Sequence, residues 1–132
     1  MEFDKNIITK HLESSLFNKP KLITDVEEDG TKKIYHRYFY LSLKEDILVQ
    51  EGTKNMVVPT GVFIDVPEGM VAEIMDTYDS NCHTECGVKR KLYFSGEHEI
   101  ILHLELFDTS ETIDRETEFV TVQIIKEEDF KM

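Results

Sequence analysis

Residues 62 to 66 have the pattern of an extended chain with one wholly apolar face. One set of positions is entirely apolar: Val62, Ile64 and Val66. These side chains fall on one face of an extended chain and Phe63 and Asp65 on the other, because strand side chains have a period of two. Pro67-Glu68-Gly69 then indicates a tight turn, since proline fixes φ and glycine accepts a positive φ. Residues 71 to 75 restart an extended run, so the pattern predicts strand, turn and strand.

A second alternation covers residues 100 to 107. Ile100, Leu102, Leu104 and Leu106 occupy one face, and Ile101, His103, Glu105 and Phe107 the other, which is typical of a half-buried strand. The remaining predicted strands are Ile34–Leu43, Ile47–Gln50, Lys91–Phe94 and Glu118–Ile125. Asp25 to Lys33 is predicted to be a polar, acidic turn, and residues 76 to 85 a loop. Short strands separated by turns indicate an all-β barrel or jelly-roll-type sandwich.

The N-terminal residues follow a different spacing. Apolar side chains recur at helical intervals: Phe3, Ile7, Ile8, Leu12 and Leu16. Because Pro20 cannot continue a helix, we predict a short amphipathic helix within residues 1–19, followed by a β domain over residues 20–132. Such a helix either covers one end of the β core or docks a partner. At 132 residues the chain suits one domain overall.

Composition and charge restrict the classes of function that the chain can have. The chain has no apolar run long enough for a transmembrane helix and no N-terminal hydrophobic signal core, so we expect a cytoplasmic protein with free thiols. Its net charge of −12 repels a phosphate backbone, which argues against general DNA or RNA binding. A small phosphorylated ligand needs a local cluster of cations. Lys89-Arg90-Lys91 is the densest, and Lys32-Lys33 with His36 and Arg37 is the second.

Metal-ligand residue types cluster once, in Cys82-His83-Thr84-Glu85-Cys86. A structural zinc ion needs a fourth ligand, which His98 or His36 could supply only through the fold. We interpret the segment as a polar loop with two free thiols. The carboxylate pairs Asp76/Asp79 and Glu97/Glu99 are expected by chance in so acidic a chain, and His103 fits a half-buried polar residue. The sequence therefore predicts neither a metal nor a cofactor.

One segment resembles a known family. Val58-Pro59-Thr60-Gly61, followed by Ile64-Asp65-Val66-Pro67-Glu68-Gly69, is similar to "Val-Pro-Thr-Gly … Ile-Pro-Glu-Gly" of trimeric dUTPases. The strand order from about Lys21 to Ile125 also resembles that family's. The resemblance implies a dUTPase-like β domain that assembles as a homotrimer. In active members, motifs from adjoining subunits bind uracil, triphosphate and magnesium, and an aspartate positions the attacking water.

The catalytic motifs of that family are not matched. Its "Ala-Gly-Tyr-Asp-Leu" falls on residues 36 to 43, which contain neither glycine nor aspartate, and its "Pro-Arg-Ser-Gly" falls on residues 75 to 80, which contain two carboxylates. Its "Gly-Val-Ile-Asp … Tyr-Arg-Gly" becomes residues 87 to 96, without the aspartate. The arginine of "Gly-Asp-Arg-Ile-Ala-Gln" becomes Glu118, and no glycine-rich arm follows before Met132. We therefore expect no dUTP hydrolysis by the family's mechanism and assign no catalytic residue.

The resulting hypothesis is a non-catalytic protein of dUTPase-like fold, encoded by a phage or prophage, that sequesters a nucleotide-like ligand at subunit interfaces. A positive spot on an acidic surface can select a small anion, and aromatic faces can stack on a base. The predicted ligand-binding residues are Tyr78, Lys89, Arg90, Lys91 and Tyr93. The alternative is a protein–protein interaction module with a vestigial pocket, using the acidic surface or the N-terminal helix. An active dUTP diphosphatase with divergent motifs is the third hypothesis, and no membrane partner is expected.

Overall fold

The computed structural model describes residues 7–49, 55–76, 86–106, 111–113, 115 and 118–127. These residues form eleven β-strands, and none of their segments is a helix of the length and apolarity needed to cross a membrane. The strands are β1 (Ile8–His11), β2 (Ile23–Asp29), β3 (Lys32–Ser42), β4 (Ile47–Val49), β5 (Asn55–Val66), β6 (Met70–Asp76), β7 (Cys86–Val88), β8 (Lys91–Tyr93), β9 (Gly96–Leu106), β10 (Glu111–Ile113) and β11 (Glu118–Lys126).

Two main antiparallel sheets enclose one core. The first has the strand order β1-β5-β9-β7 and the second β2-β3-β11-β6-β8, while β10 and β4 form a separate two-stranded sheet. Buried side chains from both main sheets meet in a single apolar cluster, including Val62, Ile64 and Leu102 from the first sheet and Phe39 and Ile74 from the second. The predicted all-β sandwich is therefore confirmed.

The segment around the predicted turn adopts the expected structure. Val62, Ile64 and Val66 are buried and Phe63 and Asp65 are half-buried, which confirms the alternation. The backbone N–H of Met70 donates to the carbonyl of Pro67 at 3.0 Å, and Gly69 takes a φ of 80°, as the turn requires. However, β5 and β6 belong to different sheets. The turn therefore carries the chain between the two layers instead of closing a hairpin.

The helix prediction is wrong for the described N-terminal residues. Strand β1 pairs antiparallel with β5, and Ile7 accepts a backbone hydrogen bond from Asp65 at 2.8 Å. Of the apolar residues that suggested a helix, Ile7 is 1% exposed and belongs to the core, Ile8 and Leu12 are half-buried, and Leu16 is 41% exposed. The apolar spacing is helical, but the backbone pairs with the available edge of β5, and this pairing determines the conformation. Residues 3 to 6 of the predicted helix lie outside the described part.

The predicted acidic turn is also shorter than expected. Residues 25 to 29 belong to β2, and only Gly30 and Thr31 form the turn to β3. The acidic residues can lie in a strand because β3 offers them polar partners. Asp25 accepts a hydrogen bond from Tyr38, Glu27 contacts His36, and Glu28 lies opposite Lys33. Opposite charges in such positions stabilise a sheet. The strands predicted around β3, β4, β8, β9 and β11 are confirmed, with shifted ends.

Candidate ligand-binding site

The predicted cationic residues lie where the chain crosses from one main sheet to the other. Lys89 and Arg90 connect β7, in the first sheet, with β8, in the second. The backbone N–H of Lys89 donates to the carbonyl of His103 at 2.8 Å, which fixes this connection to β9. Lys91 then begins β8 opposite Ile74 of β6. The segment is thus a short link held at both ends by strand pairing.

Arg90 forms an ion pair with Glu73 of β6. Its Nε and Nη2 atoms both face Oε2 of Glu73. The two side chains differ in exposure, because that of Arg90 is 62% exposed and that of Glu73 only 9%. A carboxylate so little exposed needs a charged or hydrogen-bonding partner, and the guanidinium group supplies both. Arg90 therefore neutralises Glu73 on the surface of the second sheet.

Tyr93 is a core residue with a satisfied hydroxyl. It is 6% exposed, and its oxygen accepts a hydrogen bond from the Ile101 N–H at 2.9 Å and donates to the Ile101 carbonyl at 3.3 Å. The Nζ atom of Lys91 lies 5.0 Å from the centre of the Tyr93 ring, within cation–π range, and the His98 ring centre lies 5.0 Å away. This tyrosine joins β8 to β9 and presents little of its ring to solvent.

The described residues of the predicted site do not share one pocket. Tyr93 and Lys91 lie opposite Ala72 and Ile74, which are fully buried, so both belong to the core side of β8. The guanidinium of Arg90 instead contacts Glu73, the residue between these two on β6, whose side chain points the other way. Tyr78 lies outside the described residues, and the proposal that the five residues bind one ligand stays a prediction.

The cysteine-containing segment is likewise mostly outside the described part. Cys82 and His83 fall there, and Cys86 is described only as the first residue of β7. Within the described ranges, no three His, Cys, Asp or Glu side chains gather closely enough to hold a metal ion.

Sequence reasoning missed a cavity at the end of the second sheet. Its volume is about 600 Å³. The lining residues come from β3, β6 and β11: Lys32, Lys33, Tyr35, His36, Arg37, Tyr38, Met70, Gln123, Ile124, Ile125 and Lys126. The cations of β3 are visible in the sequence as a cluster. Lys126 lies far from them along the chain and joins them only through strand pairing.

The sequence matches no protein-family model, and no curated protein matches it. Solved structures do match. The Staphylococcus bacteriophage 80alpha dUTPase with dUPNHPP superposes with a TM-score of 0.64 at 12% identity, over 97% of this chain and 87% of that one. A tyrosine-to-phenylalanine mutant of that enzyme, with the same compound, gives 0.63 at 11% identity over the same shares. An aspartate-to-asparagine mutant of the dUTPase from phage phi11 of S. aureus gives 0.56 at 11% identity, over 87% of this chain and 95% of that one.

These similarities establish the fold. The chain has a dUTPase-like β fold, as the resemblance around residues 58 to 69 predicted. Identities of 11 and 12% carry no conclusion about chemistry.

Proposed function

We propose that this chain is a non-catalytic protein of dUTPase-like fold, encoded by a phage or prophage, that binds a nucleotide-like ligand. The three solved structures described above come from phages, and two of them were determined with the nucleotide analogue dUPNHPP. The observation that carries the proposal is the ion pair between Arg90 and Glu73 in the link between β7 and β8.

The ion pair bears on catalysis because Arg90 occupies a position that is catalytic in the dUTPase motif. When "Gly-Val-Ile-Asp" is laid without a gap on Gly87 and the residues that follow, the aspartate that positions water falls on Arg90. A guanidinium group has five donors and no acceptor, and it stays protonated, so it cannot accept a hydrogen from water. Contact with Glu73 also fixes it in place. A protein with this exchange is expected not to hydrolyse dUTP by the mechanism of that family.

Local charge supports binding of an anion. The link between β7 and β8 carries three consecutive cations: Lys89, Arg90 and Lys91. Of these, Arg90 is paired with the carboxylate of Glu73. Lys89 is exposed and Lys91 half-buried. The remaining positive charge lies in a chain of net charge −12, so it can attract a small phosphorylated molecule where a long nucleic acid is repelled. We propose that the ligand lies beside these cations at an interface between subunits of a homotrimer. Tyr78 is the predicted stacking residue, whereas the buried Tyr93 supports β8 from the core.

Two measurements test the function. Isothermal titration calorimetry with linear and cyclic nucleotides, dUTP included, should find at least one compound that binds saturably, and incubation with dUTP and magnesium should release no pyrophosphate. Lys89→Glu should weaken binding at least tenfold, whereas the same change at the exposed Lys21, outside the site, should not. A panel without any binder would favour the protein–protein interaction module, and pyrophosphate release would establish an active enzyme.

The proposed trimer has its own test. Light scattering coupled to size-exclusion chromatography should give three times the chain mass of 15.4 kDa. A monomer would contradict a site shared between subunits, although nucleotide binding by a single chain would still be measurable.

A further inference from the structure

The second sheet ends on one side at β2, whose outer edge pairs with no strand in the described part of the chain. β2 has seven residues, whereas the other strands at the ends of the two main sheets, β1, β8 and β7, have four, three and three. In an antiparallel pair, about every second residue of such a strand directs its N–H and C=O groups away from its neighbour. Among the described end strands, β2 therefore offers the longest row of outward backbone donors and acceptors.

The side chains along this edge are accessible on both faces of the sheet, because Thr24 to Glu28 are all exposed. Val26, at the centre of the strand, is 52% exposed, and Tyr35, directly opposite it on β3, is 53% exposed. β3 pairs with β11 only from Arg37 to Ser42, so in the described pairing no third strand adjoins this part of the β2–β3 hairpin. An apolar side chain thus lies at the middle of an accessible strand.

Two carboxylates lie beside Val26 along the strand, on the outer face of the sheet. Asp25 and Glu27 point there because side chains alternate between the two faces of a strand. Asp25 accepts a hydrogen bond from the neutral hydroxyl of Tyr38 at 2.6 Å, and Glu27 contacts His36 at 3.0 Å. Since a carboxylate has about four acceptor positions, each of these contacts leaves others for a group beyond the edge.

We propose that β2 binds an extended basic segment of a partner protein, which adds to the second sheet as a further strand. In this mode of recognition, backbone hydrogen bonds along the edge supply affinity and alternate side chains supply specificity. The partner residue opposite Val26 is apolar, and the residues on each side of it, opposite Asp25 and Glu27, are lysine or arginine. This surface is separate from the link at Lys89–Lys91, and the inference does not rest on the proposed function.

The charges of β2 favour such a partner over a second copy of the chain. If two copies of β2 paired antiparallel about Val26, Asp25 of each copy would lie opposite Glu27 of the other, and like charges so placed destabilise a sheet. The net charge of −12 attracts a basic segment instead. Charged residues also protect a sheet edge from aggregation, but protection alone does not require an exposed valine between them, whereas a partner strand covers it.

Synthetic peptides test the proposal on the full chain. The probe is acetyl-Arg-Val-Arg-Val-Arg-Val-Arg-amide, which matches the seven residues of β2. Isothermal titration calorimetry at physiological ionic strength should show saturable binding. Two further peptides keep every side chain and charge but carry backbone N-methyl groups, one on all valines and the other on the interior arginines. Because only one of these sets of N–H groups faces β2, one of the two peptides should bind at least tenfold more weakly than the probe.

Charge variants separate the β2 edge from the acidic surface in general. Asp25→Asn/Glu27→Gln should weaken binding of the probe at least tenfold, because it removes the two carboxylates that face the arginines. Glu13→Gln/Glu68→Gln removes the same charge at two exposed turn positions outside β2 and should change the affinity less than twofold. Circular dichroism checks that both double variants keep the fold.

Hydrogen exchange followed by nuclear magnetic resonance locates the bound peptide. The amides of β2 that point away from β3 should exchange rapidly in the protein alone, and at least tenfold more slowly when the probe is saturating. The expected result is therefore new protection at alternate residues between Thr24 and Glu28.

Several results would overturn the proposal. Absence of saturable binding would do so, as would unweakened binding of both N-methylated peptides, since attraction between charges alone would then explain the affinity. An equal loss in the two double variants would have the same meaning. Outward amides of β2 that the probe leaves unprotected would place the peptide elsewhere. Outward amides that are already protected in the protein alone would assign the edge to a second copy of the chain.

Discussion

The hydroxyl of Thr60 donates to the carbonyl oxygen of Ile100 at 2.6 Å, in the interior of the first sheet. Both residues are fully buried, and the same hydroxyl accepts a hydrogen bond from the Val62 N–H at 3.1 Å. The register between β5 and β9 is interrupted here, between Pro59 and Phe63. The threonine side chain therefore replaces backbone bonds that the irregular pairing leaves out. This gives Val-Pro-Thr-Gly a structural role in this chain.

Thr60→Val should destabilise the protein by about 2 kcal/mol. The substitution keeps the shape of the side chain but leaves a buried carbonyl and a buried N–H without the hydroxyl that served both. Urea denaturation measures the loss. Thr9→Val is the matched control, because the Thr9 hydroxyl is exposed and its bond to Phe63 is 3.3 Å long, so a change within about 0.5 kcal/mol is expected. Equal effects at both positions would contradict the assigned role.

Gly61→Ala should cost more stability than Gly30→Ala. Both glycines have a positive φ, 69° and 65°, so an added Cβ is strained at each by about 1–2 kcal/mol. The surroundings differ, because a Cβ at Gly61 would lie 3.2 Å from the Cβ atoms of Leu12 and Ser15, whereas a Cβ at Gly30 meets nothing within 4 Å. We expect an additional loss of about 1 kcal/mol or more at Gly61 from crowding. Identical melting temperatures for the two variants would show that Leu12 and Ser15 move away from the added Cβ at no cost in stability.

The fold was predictable from the sequence wherever alternation and turn residues agreed. Residues 62 to 66 and 100 to 104 have one apolar face each, and Pro67-Glu68-Gly69 admits only a turn between two extended runs. The pattern could not assign strands to sheets, because pairing partners are distant in sequence. It also failed at Ile8–His11, where an edge of β5 determines the conformation. The acidic composition of residues 25 to 29 predicted a turn where the structure has β2. The reason is similar, because pairing with β3 stabilises these residues in a strand.

The candidate sites show the same limit. The sequence identified Lys89-Arg90-Lys91 as a cluster, but Glu73, the partner of Arg90, comes from a strand 17 residues earlier and carried no signal of its own. The Lys32-Lys33 cluster was equally visible. However, Arg37 points toward the core and Lys126 joins the cluster only because β3 pairs with β11. No local sequence pattern encodes that pairing.

Arg90→Gln should destabilise the chain by about 1–2 kcal/mol through Glu73. The variant leaves a carboxylate with 9% side-chain exposure without its cation, and the cost is limited because Arg90 itself is 62% exposed. Adding Glu73→Gln should recover part of the loss, since two neutral amides can hydrogen-bond. A double-mutant cycle in urea should give a coupling of about 1 kcal/mol. Strictly additive single effects would indicate that the pair contributes nothing.

A comparison pair separates this effect from ordinary surface charge. His36 and Glu27 contact each other at 3.0 Å with side-chain exposures of 51% and 64%. Glu27→Gln should therefore change the free energy of unfolding by no more than about 0.5 kcal/mol at neutral pH.

Tyr38 should ionise at a higher pH than an ordinary tyrosine. Its hydroxyl donates to Oδ2 of Asp25 at 2.6 Å, and this hydrogen bond, with smaller contributions from desolvation and from the charge of Asp25, raises the pKa of Tyr38 from 10.0 to about 12. Because the folded-state pKa is raised, the bond stabilises the fold fully below about pH 10, and this contribution is lost as the pH rises from about 10 to 12. The difference in ultraviolet absorbance between the unaltered protein and Tyr38→Phe, followed through alkaline titration, should show one tyrosinate forming near pH 12. In Asp25→Asn the same difference titration should move toward pH 10, because the carboxylate charge and its strong acceptor are removed. An unchanged midpoint in that variant would mean that Asp25 does not control the tyrosine.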